Sequence, residues 1–261
     1  MSGFDYGAED LVYRTPLSEP ELSKDAPKHI QTMLGQKGVN YNNMEIGKIS
    51  EDKWVLLKPG KTNFGRAAPA HLAYDIVDNH LDLNTPGISY DTEEDTIIVE
   101  HLGDIKTPKS SENISKDSLI KGIAIKSLMG DPGISGNIGV KNRDCYIYDF
   151  DQAGNTVGSV EKSLTNYIDT LNRNISLEIS LRDVERELVS MVEEIDLEDL
   201  EEDLNSVKDF YPDVDEAVKF RPEYITYNIG VVREGDFFSY EETAPSLEAN
   251  KAGLESGQIF F

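Results

Sequence analysis

The sequence is poor in the residues that tie a chain to an oxidising compartment, a membrane or a polyanion. Cys145 is its only cysteine, so no intrachain disulfide can form. It lies within an apolar run, which predicts a buried small hydrophobe rather than a nucleophile. The four histidines, His29, His71, His80 and His101, fall at no ligand spacing, which argues against a zinc site. No apolar run is long enough to cross a bilayer, and the residues after Met1 do not read as a leader, so a soluble, cytoplasmic protein is expected. Basic residues are scarce too. Against 49 Asp and Glu there are 25 Lys and Arg, a formal charge of −24. Such a charge repels phosphate backbones and anionic lipid, so neither nucleic acid nor membrane is an expected partner.

What is present is acid spread along the whole chain rather than gathered in one tail. That distribution suits a solvated surface in a salty, halophilic cytoplasm, where the screening length falls to roughly 3 Å at 1 M salt. An ordinary acidic protein is the alternative. At 261 residues and 38% hydrophobic content the chain can bury a sizeable core, as one domain or two lobes. No internal repeat or low-complexity segment is apparent.

Residues 1–42 are polar and broken by Pro16, Pro20 and Pro27, and read as an extension with at most a short helix over Lys28–Leu34. Met44–Ile49 and Lys53–Lys58 then read as a hairpin around Ser50–Glu51–Asp52, its second strand ending on Lys58 before Pro59–Gly60. Gly60–Lys61–Thr62 is not a phosphate-binding loop of the Walker type, because Val55 stands where that motif needs its first glycine. Arg66–Leu81 has the period of a helix, with Pro69 in its first turn and Leu72, Ala73, Ile76, Val77 and His80 on one face. Ile88–Tyr90 and the β-branched Thr96–Leu102 flank an acidic turn at Asp91–Asp95. Ser115–Met129 reads as a buried helix, apolar almost throughout. After Gly154 the pattern is mainly helical, through Val160–Leu171, Leu181–Ile195 and Leu197–Val207, with the acids from Glu193 to Asp203 on a solvated face. Tyr224–Val232 is expected to be a strand, and the apolar end Ile259–Phe261 to dock on this core or on a neighbour.

The most informative stretch is Leu128–Gly154. It places Asp131 and Asn137 in a polar loop, then a short strand, a turn at Lys141–Asp144, and a strand that delivers Asp149 and Asp151 at its exit. Carboxylate and amide oxygens converging from neighbouring strand ends suit a hard divalent cation carrying phosphate ligands.

The order Asp, Asn, strand, Asp-Phe-Asp resembles the catalytic core of the protein-kinase-like superfamily, especially its atypical HipA-like and lipid-kinase-like branches. That resemblance implies an α+β, two-lobed fold: an extension over residues 1–42, a small mostly β N-lobe over 43–103 and a mainly helical C-lobe over 104–261. It implies an ATP- and Mg²⁺-dependent phosphotransferase. Asp131 would orient the acceptor hydroxyl, Asn137 and Asp149 would hold metal, and Lys58 would meet the nucleotide phosphates. The backbone near Glu100 and Leu102 would face the adenine, and Asp75 would be the acidic partner of Lys58. Asp131 stands one residue further from Asn137 than the family's loop Asp, no His or Arg fills the usual loop positions, and Asp151 replaces a glycine. The alternative implied by those departures is a catalytically inactive kinase-like scaffold, or a structural component of an assembly such as the virion of a halophilic virus.

Overall fold

The computed structural model describes residues 4–17, 44–62, 65–66, 68–81, 83–103, 105–106, 114–131, 137–148, 168–169, 172–173, 178–209 and 222–234. An antiparallel sheet comes first and helices follow, an α+β arrangement. The sheet holds five strands: β1 (Tyr13–Pro16), β2 (Glu45–Lys48), β3 (Trp54–Pro59), β6 (Ile88–Asp91) and β7 (Thr96–Glu100), in the spatial order β1-β2-β3-β7-β6. Strands β4 (Lys61–Thr62) and β5 (Gly65–Arg66) form a separate two-residue hairpin.

Each sheet hairpin follows from its turn. Lys53 closes the β2–β3 turn by donating its amide to Ser50 and accepting from Ile49. Between β6 and β7 the Asp91 carboxylate accepts from the amides of Glu93 and Glu94, both at 2.9 Å, an Asx-type turn that an aspartate makes with its own backbone.

The strand period sorts side chains onto two faces. Val55, Leu57 and Ile98 turn to one face, where Phe4 packs on them with Tyr6 and Leu11 at the margin. On the other face Lys58 lies opposite Ile97 and Leu56 opposite Val99. There Ile88, Ile97 and Val99 join the main core. Within the stretch expected as an extension that wraps the first lobe, residues 4–17 supply an edge strand and cover one face of the sheet. The expected helix over Lys28–Leu34 lies outside the described residues.

Helix α1 (Ala68–Leu81) begins later than its sequence period suggested, because Gly65–Arg66 pairs with Lys61–Thr62 instead. It buries Ala70, Ala73, Tyr74, Val77 and Leu81, a stripe one helical face wide. Helix α2 (Lys116–Leu128) opens on the Ser115 hydroxyl, which accepts from the Ser118 amide at 3.3 Å. Strands β8 (Ile138–Lys141) and β9 (Asp144–Ile147) pair through a two-residue turn and pack on α2. Three helices complete the described part: α3 (Leu181–Glu194), α4 (Leu197–Asp209) and α5 (Pro222–Glu234). The acids from Glu193 to Asp203 lie on exposed positions of α3 and α4, as expected.

The segment Tyr224–Val232, expected as a strand, is helical. Its aromatic and β-branched content suits a strand, but Tyr224, Ile225, Asn228, Ile229 and Val232 are the buried positions, and that spacing has the period of a helix. Tertiary bonds hold it there. The Asn228 side chain donates to the Leu128 carbonyl at 3.0 Å, and the Arg233 guanidinium donates to Val192 at 3.1 Å and also to Ile195. Both meet carbonyls at the ends of other helices, where backbone acceptors lack partners of their own. A single apolar cluster runs from the sheet through α1 and α2 into α3, α4 and α5. No helix among the described residues is long and apolar enough to cross a membrane.

Candidate functional site

Helix α2 ends in a way its last residues dictate. Gly130 adopts φ 58°, a left-handed conformation that glycine takes without a Cβ penalty. The Gly130 amide then donates to Ser127 at 3.1 Å and the Asp131 amide to Lys126 at 3.0 Å, the paired bonds of a Schellman stop. The chain turns back, and the Asp131 side chain enters the core beneath the helix.

There Asp131 meets two partners. Its Oδ2 accepts from Lys126 Nζ at 2.7 Å and from the Tyr74 hydroxyl at 3.2 Å. Lys126 and Asp131 are both 0% exposed. The ammonium also donates to the Tyr148 carbonyl at 3.3 Å and lies 5.5 Å from the centre of the Tyr74 ring. Burial, followed by the adjacent Asp131 charge, holds the Tyr74 hydroxyl well above its ordinary pKa, so it stays a donor. This corrects the expectation that Asp131 orients an acceptor hydroxyl. A carboxylate enclosed in the core and bonded to a buried ammonium is not presented to substrate.

Asn137 is half-buried at the entry to β8, and its carbonyl accepts from the Tyr148 amide at 3.1 Å. Tyr148 immediately precedes Asp149, so the hairpin brings the chain leading into Asp149 beside Asn137. Asp149 and Asp151 lie outside the described residues. Lys58 is half-buried on the central strand of the sheet, on the face turned toward α1 and the main core. Asp75, its expected acidic partner, is half-buried on α1.

The segment after β7 is bound to both sides. Glu100 commits its amide to Gly87 at 2.8 Å and its carboxylate to the Gly87 amide at 3.2 Å. The His101 amide donates to Trp54 at 2.9 Å, and the Leu102 carbonyl accepts from Lys141 Nζ at 2.6 Å. Lys106 then bridges to Val140 through two backbone bonds of 3.0 and 2.8 Å. Gly139 permits this docking, since a Cβ there would stand 1.9 Å from the Ile105 side chain. The Glu100 amide is thus occupied, and an adenine contact here would fall to other backbone groups of the segment.

Comparison with family models, with characterised proteins and with solved structures finds no match to this chain. The site therefore rests on its own geometry. Among the described residues no group of three or more His, Cys, Asp or Glu is disposed to hold a metal. Cys145 is buried, with its thiol pushed up to about 12 chiefly by desolvation, which agrees with a packing role. Reading the sequence missed Lys126 and Tyr74. No local pattern marks Lys126, which is one of three lysines in its helix, with Lys116 and Lys121, and stands five residues before Asp131.

Proposed function

We propose that the chain is a kinase-like protein that binds ATP with Mg²⁺ and acts as a phosphotransferase of the atypical kinase-like class. The observation that carries this reading is the order of elements around Lys58. A five-stranded antiparallel sheet, ordered β1-β2-β3-β7-β6 with α1 inserted after β3, puts a lysine of the third sheet strand on the side of the inserted helix. A buried helix and a short hairpin follow it in the chain, an order that supports a kinase-like core.

The donor set fits the ligands. An amide and a carboxylate, Asn137 and Asp149, are hard oxygen donors of the kind Mg²⁺ takes alongside phosphate oxygens, and an ammonium such as Lys58 neutralises those phosphates. The bound metal would supply charge neutralisation at the phosphates. In this reading Lys58 holds the phosphates, Asn137 and Asp149 hold the ion, and residues around Glu100–Leu102 abut the base.

The burial of Asp131 favours a second reading, a kinase-like scaffold without catalysis that works through its surface in an assembly, such as a virus particle. One experiment separates them. Melting followed at high salt should shift upward on adding ATP with Mg²⁺, and Asp149→Ala should abolish the shift, because ligand that binds only the folded state stabilises it. Transfer of labelled γ-phosphate to any acceptor then marks an enzyme, and binding without transfer marks the scaffold. A wild-type protein whose melting ignores Mg·ATP ends the nucleotide reading.

A further inference from the structure

We propose that Lys126 is a positioning residue: by bonding Asp131 and the Tyr148 carbonyl together, it clamps the end of α2 to the end of the β8–β9 hairpin and so fixes the backbone of Tyr148, the residue before Asp149 in the chain. The assignment of Asp149 as a metal ligand rests on the kinase-like reading; the clamp itself does not.

The argument begins with what Lys126 touches. Its carbonyl accepts from the Asp131 amide, and its ammonium donates to the Asp131 carboxylate and to the carbonyl of Tyr148, 22 residues further along the chain. That carbonyl belongs to the peptide unit joining Tyr148 to Asp149. The preceding peptide is held as well, since the Tyr148 amide donates to Asn137. The Tyr148 backbone is thereby held at both ends, its amide by Asn137 and its carbonyl by the lysine.

Core packing alone does not call for an ammonium here. A buried ion pair is commonly replaced by apolar residues of similar volume at little loss of stability, so a lysine and an aspartate are not needed merely to fill the space. Only a donor long enough to leave the helix can reach the Tyr148 carbonyl. In this arrangement Asp131 neutralises the ammonium, and Tyr74 orients Asp131 from α1. The network joins α1, α2 and the hairpin end at one buried point, and it holds Tyr148, whose amide is bonded to the proposed ligand Asn137. Supporting shells of this kind hold first ligands in register.

The test uses the full chain carrying Lys126→Met together with Asp131→Leu. This pair keeps volume and removes both charges, so cooperative unfolding is expected to persist. With the clamp gone, the Tyr148 amide should exchange with solvent about tenfold faster than in the wild type. Loss of such a support typically weakens metal binding by about 10–100-fold, so the Mg·ATP dissociation constant should rise by at least about tenfold while unfolding stays cooperative. Unchanged exchange at Tyr148 would overturn the inference. Faster exchange in a chain whose wild type ignores Mg·ATP would keep the clamp and discard the nucleotide reading. If the double variant does not fold, the wild type decides. A bonded Lys126 ammonium should show slowly exchanging protons with coupling to the Tyr148 carbonyl carbon, and a freely exchanging ammonium would overturn the inference.

Discussion

Taking away the Lys126 ammonium alone removes the cation bonded to the buried Asp131 carboxylate. Breaking one side of a buried pair costs about 3–5 kcal/mol, so Lys126→Met should lose that much stability in urea denaturation and the double variant should regain most of it. Equal losses in both would mean that the pair stabilises the fold outright. A second residue-scale prediction concerns the β8–β9 turn. Asn142 and Arg143 sit at φ 53° and 80°, the conformation of a two-residue turn with both central residues left-handed. Asparagine tolerates this and arginine does not, so Arg143→Gly should raise stability by about 1 kcal/mol, relieving the left-handed penalty less some glycine entropy. A lower denaturation midpoint would show that the Arg143 side chain contributes more than its strain removes. The turn was legible from Lys141–Asp144 as a break between apolar runs. Lys126 was not, because a single lysine in a helix ordinarily extends its ammonium to water, and only the neighbouring chain shows that this one does not.

Helix α3 carries its own start signal, and its acid response follows from it. Ser180 and Asp183 form a capping box: the Asp183 amide donates to the Ser180 hydroxyl at 3.2 Å, and the Ser180 amide donates to the Asp183 carboxylate at 2.9 Å. Ser180→Ala should cost about 1 kcal/mol of stability, and an unchanged midpoint would show that the cap contributes nothing. The Ser180 amide, then its hydroxyl, holds the Asp183 pKa below its usual value, as the Ala8 amide, then that of Glu94, holds Asp91 below its own. A depressed folded-state pKa means stability that is full above the ordinary carboxylate range, near 4, and lost as pH falls through the lower value. Asp91→Asn should therefore flatten the acid limb of a stability–pH profile below about pH 4; an unaltered limb would place its origin elsewhere. At this scale most helices and strands were legible from period alone. The exceptions were β1, whose partner lies some 30 residues away in sequence and whose Pro16 reads as a breaker, the short β4–β5 pair where Arg66 was expected to open a helix, and α5, whose composition favoured a strand while its buried spacing was helical.

For the whole molecule, charge is the property that reaches furthest. With a formal charge of −24, the surface repels itself wherever screening is weak. Raising NaCl from about 0.1 to about 1 M shortens the screening length from roughly 10 to 3 Å, so the melting temperature should climb across that range. A flat or falling profile would remove the halophilic reading. Repulsion is partly met locally, as where Arg14 binds both Glu45 and Glu94 and ties β1 to β2 and to the β6–β7 turn. Opposing it is a core that joins strands β6 and β7 of the sheet to the helices, while Phe4 and Leu17 pack on the sheet in separate clusters.

Apart from β1 and α5, the sequence by itself determined the α+β succession of elements, the turns, the caps and the acidic exterior, because each depends on residues a few positions apart. Tertiary structure alone decided what Asp131 does. Its role depends on Lys126, on Tyr74 from another helix and on a carbonyl delivered by the hairpin, and whether a carboxylate meets solvent or an ammonium is settled by packing between distant segments.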